Sequence, residues 1–369
     1  MLRLKRATVL NAGPPDAMEQ RLAIAIDGER RSAIADVGLV GASQPGDELV
    51  VNVEAVELGL GSGGADIVHV NLSRGLNGEG TPRAHVMKLN YTSLQHAVSP
   101  VEEDDADATP ESLELPVGRP VGVLALHGQL APLAWAFAQA RPGSRLGYVQ
   151  TAGGALPGGH SCVVSELRDD GLLAGHLTAG PAFGGADGEA ITTAAALHYG
   201  LTALGWDAAV AGPGPGILGS GSALGHGGLQ ALDSAHTALA LGCPTVLVAR
   251  MSSSDLRARH RGLSHHTRMV LELLLAAVTV AVPAGEGVRE ALPAGERGNE
   301  GVPVEVAVPA DAAERGGGAA RRHEWLERPA DLEGYLATSL PSRSMGREDP
   351  LFFSAALAAG TALAEQVAT

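Results

Sequence analysis

Four times in this chain, an apolar run short enough to be one buried strand ends in a glycine-rich turn. RLGYV (145–149) leads into QTAGGALPGGH, GHLTA (175–179) into GPAFGGADGE, and AAVA (208–211) into GPGPGILGSGSALGHGG. The fourth run, TVLVA (245–249), continues into RMSSSDLRARHRGLSHHT. Short apolar runs of this kind fit strands covered on both faces of a parallel sheet. The turns that follow such strands share the carboxyl edge of the sheet, where α/β folds bind their ligands. Glycine there lets backbone approach a bound group and leaves N–H donors unobstructed.

The same runs belong to a longer strand–helix alternation over residues 118–283, the signature of βαβ units. VGVLAL (121–126) precedes a helix near 130–141, and HSCVVSELRDDG, EAITTAAALHYGLTALG and LQALDSAHTALALG follow the next strands with helical spacing. A further helix starts near Ser264, and VTVAVP (278–283) closes a set of about six parallel strands with right-handed crossovers. Residues 1–97 read differently, as short alternating runs punctuated by Gly, Pro and Asp, which predicts a small barrel or sandwich. The expected fold is therefore α/β: a mostly parallel, Rossmann-like three-layer sheet domain over 118–369, preceded by a β-rich domain. An acidic linker over 98–117 joins them, and weakly ordered inserts are expected near 284–302 and 309–323. The last segment reads as a helix capped by Asp349, with Pro350 in its first turn.

Composition narrows the chemistry. A net charge of -15, from 26 Lys+Arg against 41 Asp+Glu, argues against nucleic acid as a partner. Two cysteines build no disulfide framework and suit a reducing cytosol. Lys5 and Lys88 are the only lysines, so no P-loop lysine follows a glycine turn and no pyridoxal lysine lies in the glycine-rich region. The longest apolar stretch, MVLELLLAAVTVAVP (269–283), is too short to span a bilayer and contains Glu272. The expectation is a soluble, cytoplasmic protein without a membrane partner.

Two stretches could carry chemistry. Gly214-Pro-Gly216-Ile-Leu-Gly219 is formally a G-x-G-x-x-G after a strand. A dinucleotide fingerprint needs the helix at once, whereas this loop continues through Ser220, Gly221 and Ser222. Its backbone, with those two hydroxyls, suits an anion cradle, and a compact turn explains it equally well. The second stretch is Asp255-x-Arg257-x-Arg259-His260-Arg261-Gly-Leu-Ser264-His265-His266. From 250 to 268 five arginines face one aspartate, a local +4 in an acidic chain, which attracts anions. Ser264 can cap the next helix and place His265 and His266 in its first turn, where the positive helix end keeps imidazole neutral. A divalent metal would need His127, His260 or His265, with Asp255, gathered by the fold. An exposed capped helix with solvated arginines is the plainer account. Cys162 is expected to face a helix interior, and Asp187 and Glu189 to sit in a first helical turn.

YVQTAGGALP, AGPAFGG, GPGPGILGSGS, SSSDLRARHRGLSHHT and SMGREDPLFF, taken with AHVMKLNYTSLQ (84–95) and ELVVNVEAVELGLGSGG (48–64), resemble a bacterial family known as a domain of unknown function. The resemblance covers nearly the whole chain in order, and the SHHT block is its most specific part. In that family the second turn usually carries aspartate where this chain has Gly153, and the third reads AFGGD where Ala186 precedes Asp187 here. The resemblance implies the layout above and no assigned reaction.

The leading functional expectation is a hydrolase or group transferase acting on a small anionic ligand, such as a phosphorylated metabolite or nucleotide. His265 or His266 would move protons, with His260 and Asp255 beside them. Gly214, Gly216, Gly219, Ser220, Gly221, Ser222, Arg257, Arg259, Arg261 and Ser264 would hold the ligand. The alternatives are a non-catalytic sensor or scaffold, and an NADP-dependent oxidoreductase with Arg250 on the 2′-phosphate. No cofactor is assigned, and a homo-oligomer is left open.

Overall fold

The computed structural model describes residues 1–15, 18–60, 62–103, 113–284 and 323–368 of the chain. Most of the acidic run at 101–114, and nearly all of the two expected inserts, lie outside those residues. Two compact units emerge, Met1–Ser99 with Pro157–His160, and Pro100–Leu156 with Ser161–Thr369.

The first unit is a closed barrel of β1 (Leu4–Ala12), β2 (Glu19–Ile26), β3 (Glu29–Asp36), β4 (Glu48–Asn52) and β5 (Asp66–Asn71), in the order β1-β2-β3-β5-β4. Pairing of β1 with β4 closes it and leaves no free edge. Asp27 and Gly28, both at positive φ (51° and 84°), turn β2 into β3, as a two-residue hairpin of that hand requires. Leu22, Ile24 and Ile26 alternate inward on β2 and meet Ala33, Ala35, Leu49 and Val51 in the barrel core. Short helices α1 (Val37–Val40) and α2 (Glu54–Glu57) and the ribbon β6 (Val86–Lys88) with β7 (His96–Val98) complete the unit.

The second unit carries β8 (Val121–Val123), β9 (Leu146–Thr151), β10 (Gly175–Ala179), β11 (Glu189–Ala190), β12 (Ala208–Pro213) and β13 (Thr245–Val248). The ribbon β14 (Met251–Ser252) with β15 (Gly262–Leu263) follows, then β16 (Thr279–Pro283) and β17 (Glu324–Arg328). Eight of these strands form one parallel sheet in the order β11-β10-β9-β12-β8-β13-β16-β17. The two beyond the expected six lie at opposite edges. β11 has only two residues and β17 reads EWLER, so neither shows as an apolar run.

Helices cover both faces. Residues of α5 (Thr193–Thr202), α6 (Gln230–Ala240) and α7 (His265–Leu273) share one core. Those of α3 (Leu130–Ala140), α4 (Cys162–Asp169), α8 (Leu332–Leu336) and α9 (Pro350–Glu365) share the other. Three layers result, as the alternation implies. Glycines inside these elements serve one large side chain. A Cβ on Gly147 (β9), Gly175 (β10) or Gly200 (α5) would lie 2.0, 2.8 or 2.3 Å from the indole of fully buried Trp206.

Three local expectations are corrected. Asp349 holds the N-cap position of α9, but its carboxylate makes no capping bond and instead accepts from the hydroxyls of Ser252 and Ser253 and from the Ser253 N–H. Cys162 is exposed at the start of α4. Asp187 accepts from the His176 N–H at 2.7 Å and pairs with Arg168, while Glu189 lies in β11, because Thr192 caps α5 further on.

Helix α9 is apolar on nearly every side and crosses α3 closely at Gly360, where a Cβ would lie 2.3 Å from the Leu133 carbonyl oxygen and 2.9 Å from the Ala136 Cβ. Backbone cannot give way as a flexible side chain can. Gly360→Ala should therefore destabilise the protein by about 1–3 kcal/mol, despite alanine's better helix propensity. Denaturant unfolding measures this, and a more stable variant would disprove the close crossing.

Candidate functional site

Strands β12 and β8 are neighbours, yet the helices that follow them, α6 and α3, pack on opposite faces. Their carboxyl ends therefore open a crevice at a topological switch point. The loops after β9, β12 and β13 rise from this edge.

The loops after β9 and β12 are locked backbone to backbone. A Cβ on Gly227 would lie 1.9 Å from the Gly153 oxygen, and one on Gly154 would lie 2.2 Å from the Gly214 oxygen. Ala155 N–H donates to the Pro215 carbonyl at 2.6 Å. Gly214 is consumed by this packing, since its own Cβ would meet the Ala155 oxygen at 2.4 Å. Gly216, at φ 70°, and Gly221 face open space, and Gly219 meets only the His226 Cβ, at 3.8 Å. The hydroxyls of Ser220 and Ser222 bond each other at 3.0 Å and accept from the N–H groups of Ser222 and Gly225. Those serines shape an exposed loop tip.

The loop after β12 ends in His226, which the sequence reading passed over. Its ring stacks on His266 with centroids 3.7 Å apart and meets His265 edge-on at 5.6 Å. His260 lies 4.6 Å from His265 and 4.8 Å from His266 by the same measure. Four imidazoles thus meet where α7 begins. Ser264 caps that helix, accepting from the His266 N–H, and its hydroxyl lies 2.8 Å from His260 Nδ1.

Arg250 anchors the group. Its backbone N–H donates to Thr267 Oγ1 and its carbonyl accepts from Ser264 N–H, both at 2.9 Å, which brings the chain back from the loop after β13. Its buried guanidinium donates to His266 Nδ1 at 2.8 Å and to Asp255 at 3.3 Å. Asp255, also buried, collects Arg257 and Arg347 as well, at 3.0 and 3.3 Å. The hydrogen bond from Arg257 leads in holding the Asp255 carboxyl well below its ordinary range. Asp255 thus orients arginines rather than an imidazole. Arg250 is buried, with one guanidinium N–H on His266 and another on Asp255. Arg259 and Arg261 are exposed.

All four imidazoles are held neutral. Burial, then the Arg250 charge, pushes His266 down to about 2, and burial with Arg250 and Arg257 takes His260 to about 3. Burial leads in lowering His226 and His265 too, followed by the His265 charge and the Arg259 charge respectively. The Ala223 carbonyl lies near enough to favour protonation of His226, but it makes no hydrogen bond there: both ring nitrogens are buried without a partner. His260 Nε2 and His265 Nδ1 are buried and unpartnered as well. His127, the other metal candidate, is satisfied by protein: Nε2 meets Ser161 Oγ at 2.7 Å, and Nδ1 lies 3.3 Å from both Tyr148 Oη and the Pro213 carbonyl.

Fold and site together define an α/β protein with a histidine–arginine cluster on the carboxyl edge of a parallel sheet. The chain belongs to the family described as Protein of unknown function (DUF3866), whose model matches residues 32–360. No curated protein and no solved structure matches it. Among the described residues no helix is long and apolar enough to cross a membrane.

Beside the cluster, burial holds His127 at about 4 and His176 at about 3, against 6.5 for a free imidazole. As pH falls below 6.5, the unfolded chain takes up protons that these folded rings refuse. Their contribution is therefore complete above that value and is lost as pH drops toward 4. For His127 the loss is on the order of 3 kcal/mol. Urea unfolding across this range should show stability declining with acid, and His127→Gln should flatten the decline. Identical slopes in both proteins would mean that the His127 ring titrates normally.

Proposed function

We propose that this protein is an enzyme, a hydrolase or group transferase, acting on a small anionic ligand at the carboxyl edge of its parallel sheet. The observation that carries this reading is the set of four neutral imidazoles, three of them buried, beside a cationic arginine cluster in a crevice of the kind α/β folds use. Neutral imidazoles in a positive field suit hydrogen-bond donation to an anion, and a ligand's negative charge would raise their proton affinity so that one of them can take up and pass on a proton. His265, the one partly exposed ring of the four, is assigned the proton transfer, with its unpartnered Nδ1 as the reacting nitrogen. Exposed Arg259 and Arg261 draw the ligand in, while Asp255 holds Arg250 and Arg257 in place. Gly216, Gly219 and Gly221 supply the open backbone rim.

The test is a turnover screen with phosphate esters, nucleotides and acyl anions. His265→Ala should lower kcat/KM by about 10²–10⁴, the usual size of a general acid–base contribution, and leave thermal unfolding nearly unchanged. Arg259→Ala should raise KM more than it lowers kcat. Full turnover in both variants would remove the site assignment, and saturable binding without turnover would favour a sensor.

A further inference from the structure

We propose that the four histidines at the amino end of α7 bind a tetrahedral phosphoryl group, free phosphate or a phosphomonoester, through neutral imidazole N–H donors and without a metal ion. The proposal rests on the anion-handling reading of this site and narrows its ligand.

The first support is the set of buried ring nitrogens that make no well-formed hydrogen bond to protein: both on His226, whose ring the Ala223 carbonyl approaches, Nε2 on His260, and Nδ1 on His265, whose ring the Arg259 carbonyl approaches. His226 and His260 are only 7% and 1% exposed. A buried polar atom left unpaired costs about 1–3 kcal/mol, so a cluster of four marks a place where something polar belongs.

Proton positions decide its sign. A guanidinium can only donate, so the contact from Arg250 makes His266 Nδ1 an acceptor and puts the ring proton on Nε2. Ser264 is fully buried, and its oxygen already accepts from the His266 N–H. The hydroxyl proton needs an acceptor, and His260 Nδ1 at 2.8 Å is placed to be one, which puts the His260 proton on Nε2. Two neutral rings therefore present N–H groups of fixed direction.

His226, His265 and His266 do offer ligand atoms within 4.8 Å of one another, a spacing that a metal ion can draw together. The electrostatics oppose it. Ligation through His266 Nε2 would move the proton to Nδ1, against the Arg250 N–H, whereas metal-bound histidine needs an acceptor at its other nitrogen. The arginine charges that depress protonation of these rings repel a divalent cation in the same way. The positive end of α7 adds to the preference for an anion.

Ring orientation selects the shape. His260 is tilted 85° to His266 and 54° to His265, and His226 is tilted 70° to His265. Only His226 and His266 are near parallel, at 16°, and donors from such varied planes match two coplanar carboxylate oxygens poorly. Phosphoryl oxygens point in several directions and match them better.

The test uses the full chain labelled with 15N and long-range imidazole correlations at neutral pH. His260 and His266 should show the Nε2–H pattern before any ligand is added. Inorganic phosphate and phenyl phosphate, titrated separately to about 10 mM, reach ligands as weak as millimolar. Either should shift the four histidines in saturable fashion, and the tighter of the two identifies the source, free phosphate or ester. His260→Asn and His226→Asn should each weaken binding about tenfold. An Nδ1–H pattern at either ring, no shift with either probe, or stoichiometric Zn2+ uptake that phosphate leaves untouched would each overturn the proposal. Turnover of a different anion, abolished by His265→Ala, would then leave the enzyme reading standing.

Discussion

The buried Arg250–Asp255 pair organises everything at the sheet edge. Two opposite charges out of water are tolerated only when hydrogen bonds satisfy what remains of each. Here Arg250 also donates one N–H to His266, while Asp255 accepts from Arg257 and Arg347. That requirement pulls three separated parts of the chain together: the turn after β13, the first turn of α7 and the segment before α9. The pair's arginine contacts His266 Nδ1 and, after burial, is among the charges that disfavour protonation of the neighbouring rings.

Glycine works in this molecule mainly as a packing residue. In the sheet layers it clears room for Trp206, and between the loops after β9 and β12 it lets two backbones touch. Where the loop after β12 turns outward, at Gly216, Gly219 and Gly221, the backbone borders open space. The loop's larger contribution to chemistry is that its end delivers His226 onto the ring of His266.

Much of the layout was legible because its signals are local. Strands covered on both faces must be apolar along their whole length, so β9, β10, β12 and β13 stand out, and helical spacing marks the layers between them. Ser264 reads as a cap because the residues near it decide that. Edge strands escape notice: β17 reads EWLER, with Trp325 its one buried residue, and so shows no apolar run. At the site, His260, His265, His266 and Asp255 stood out as one charged stretch. His226 sits between glycines some forty residues away, with only its lone appearance in a GHGG turn to mark it, and Arg347 and Asp349 lie near the far end of the chain.

The amino-acid order by itself determined that a β-rich segment precedes an α/β alternation, that the glycine-rich loops follow the parallel strands, and that the loop after β13 is positive. These follow from periodicity, turn residues and charge, which act over a few residues. Folding alone decided which histidines meet, and that the Asp349 carboxylate holds Ser252 and Ser253 rather than an N–H of its own helix. Such outcomes depend on hydrogen bonds between residues far apart in sequence, and no local pattern encodes who the distant partner will be.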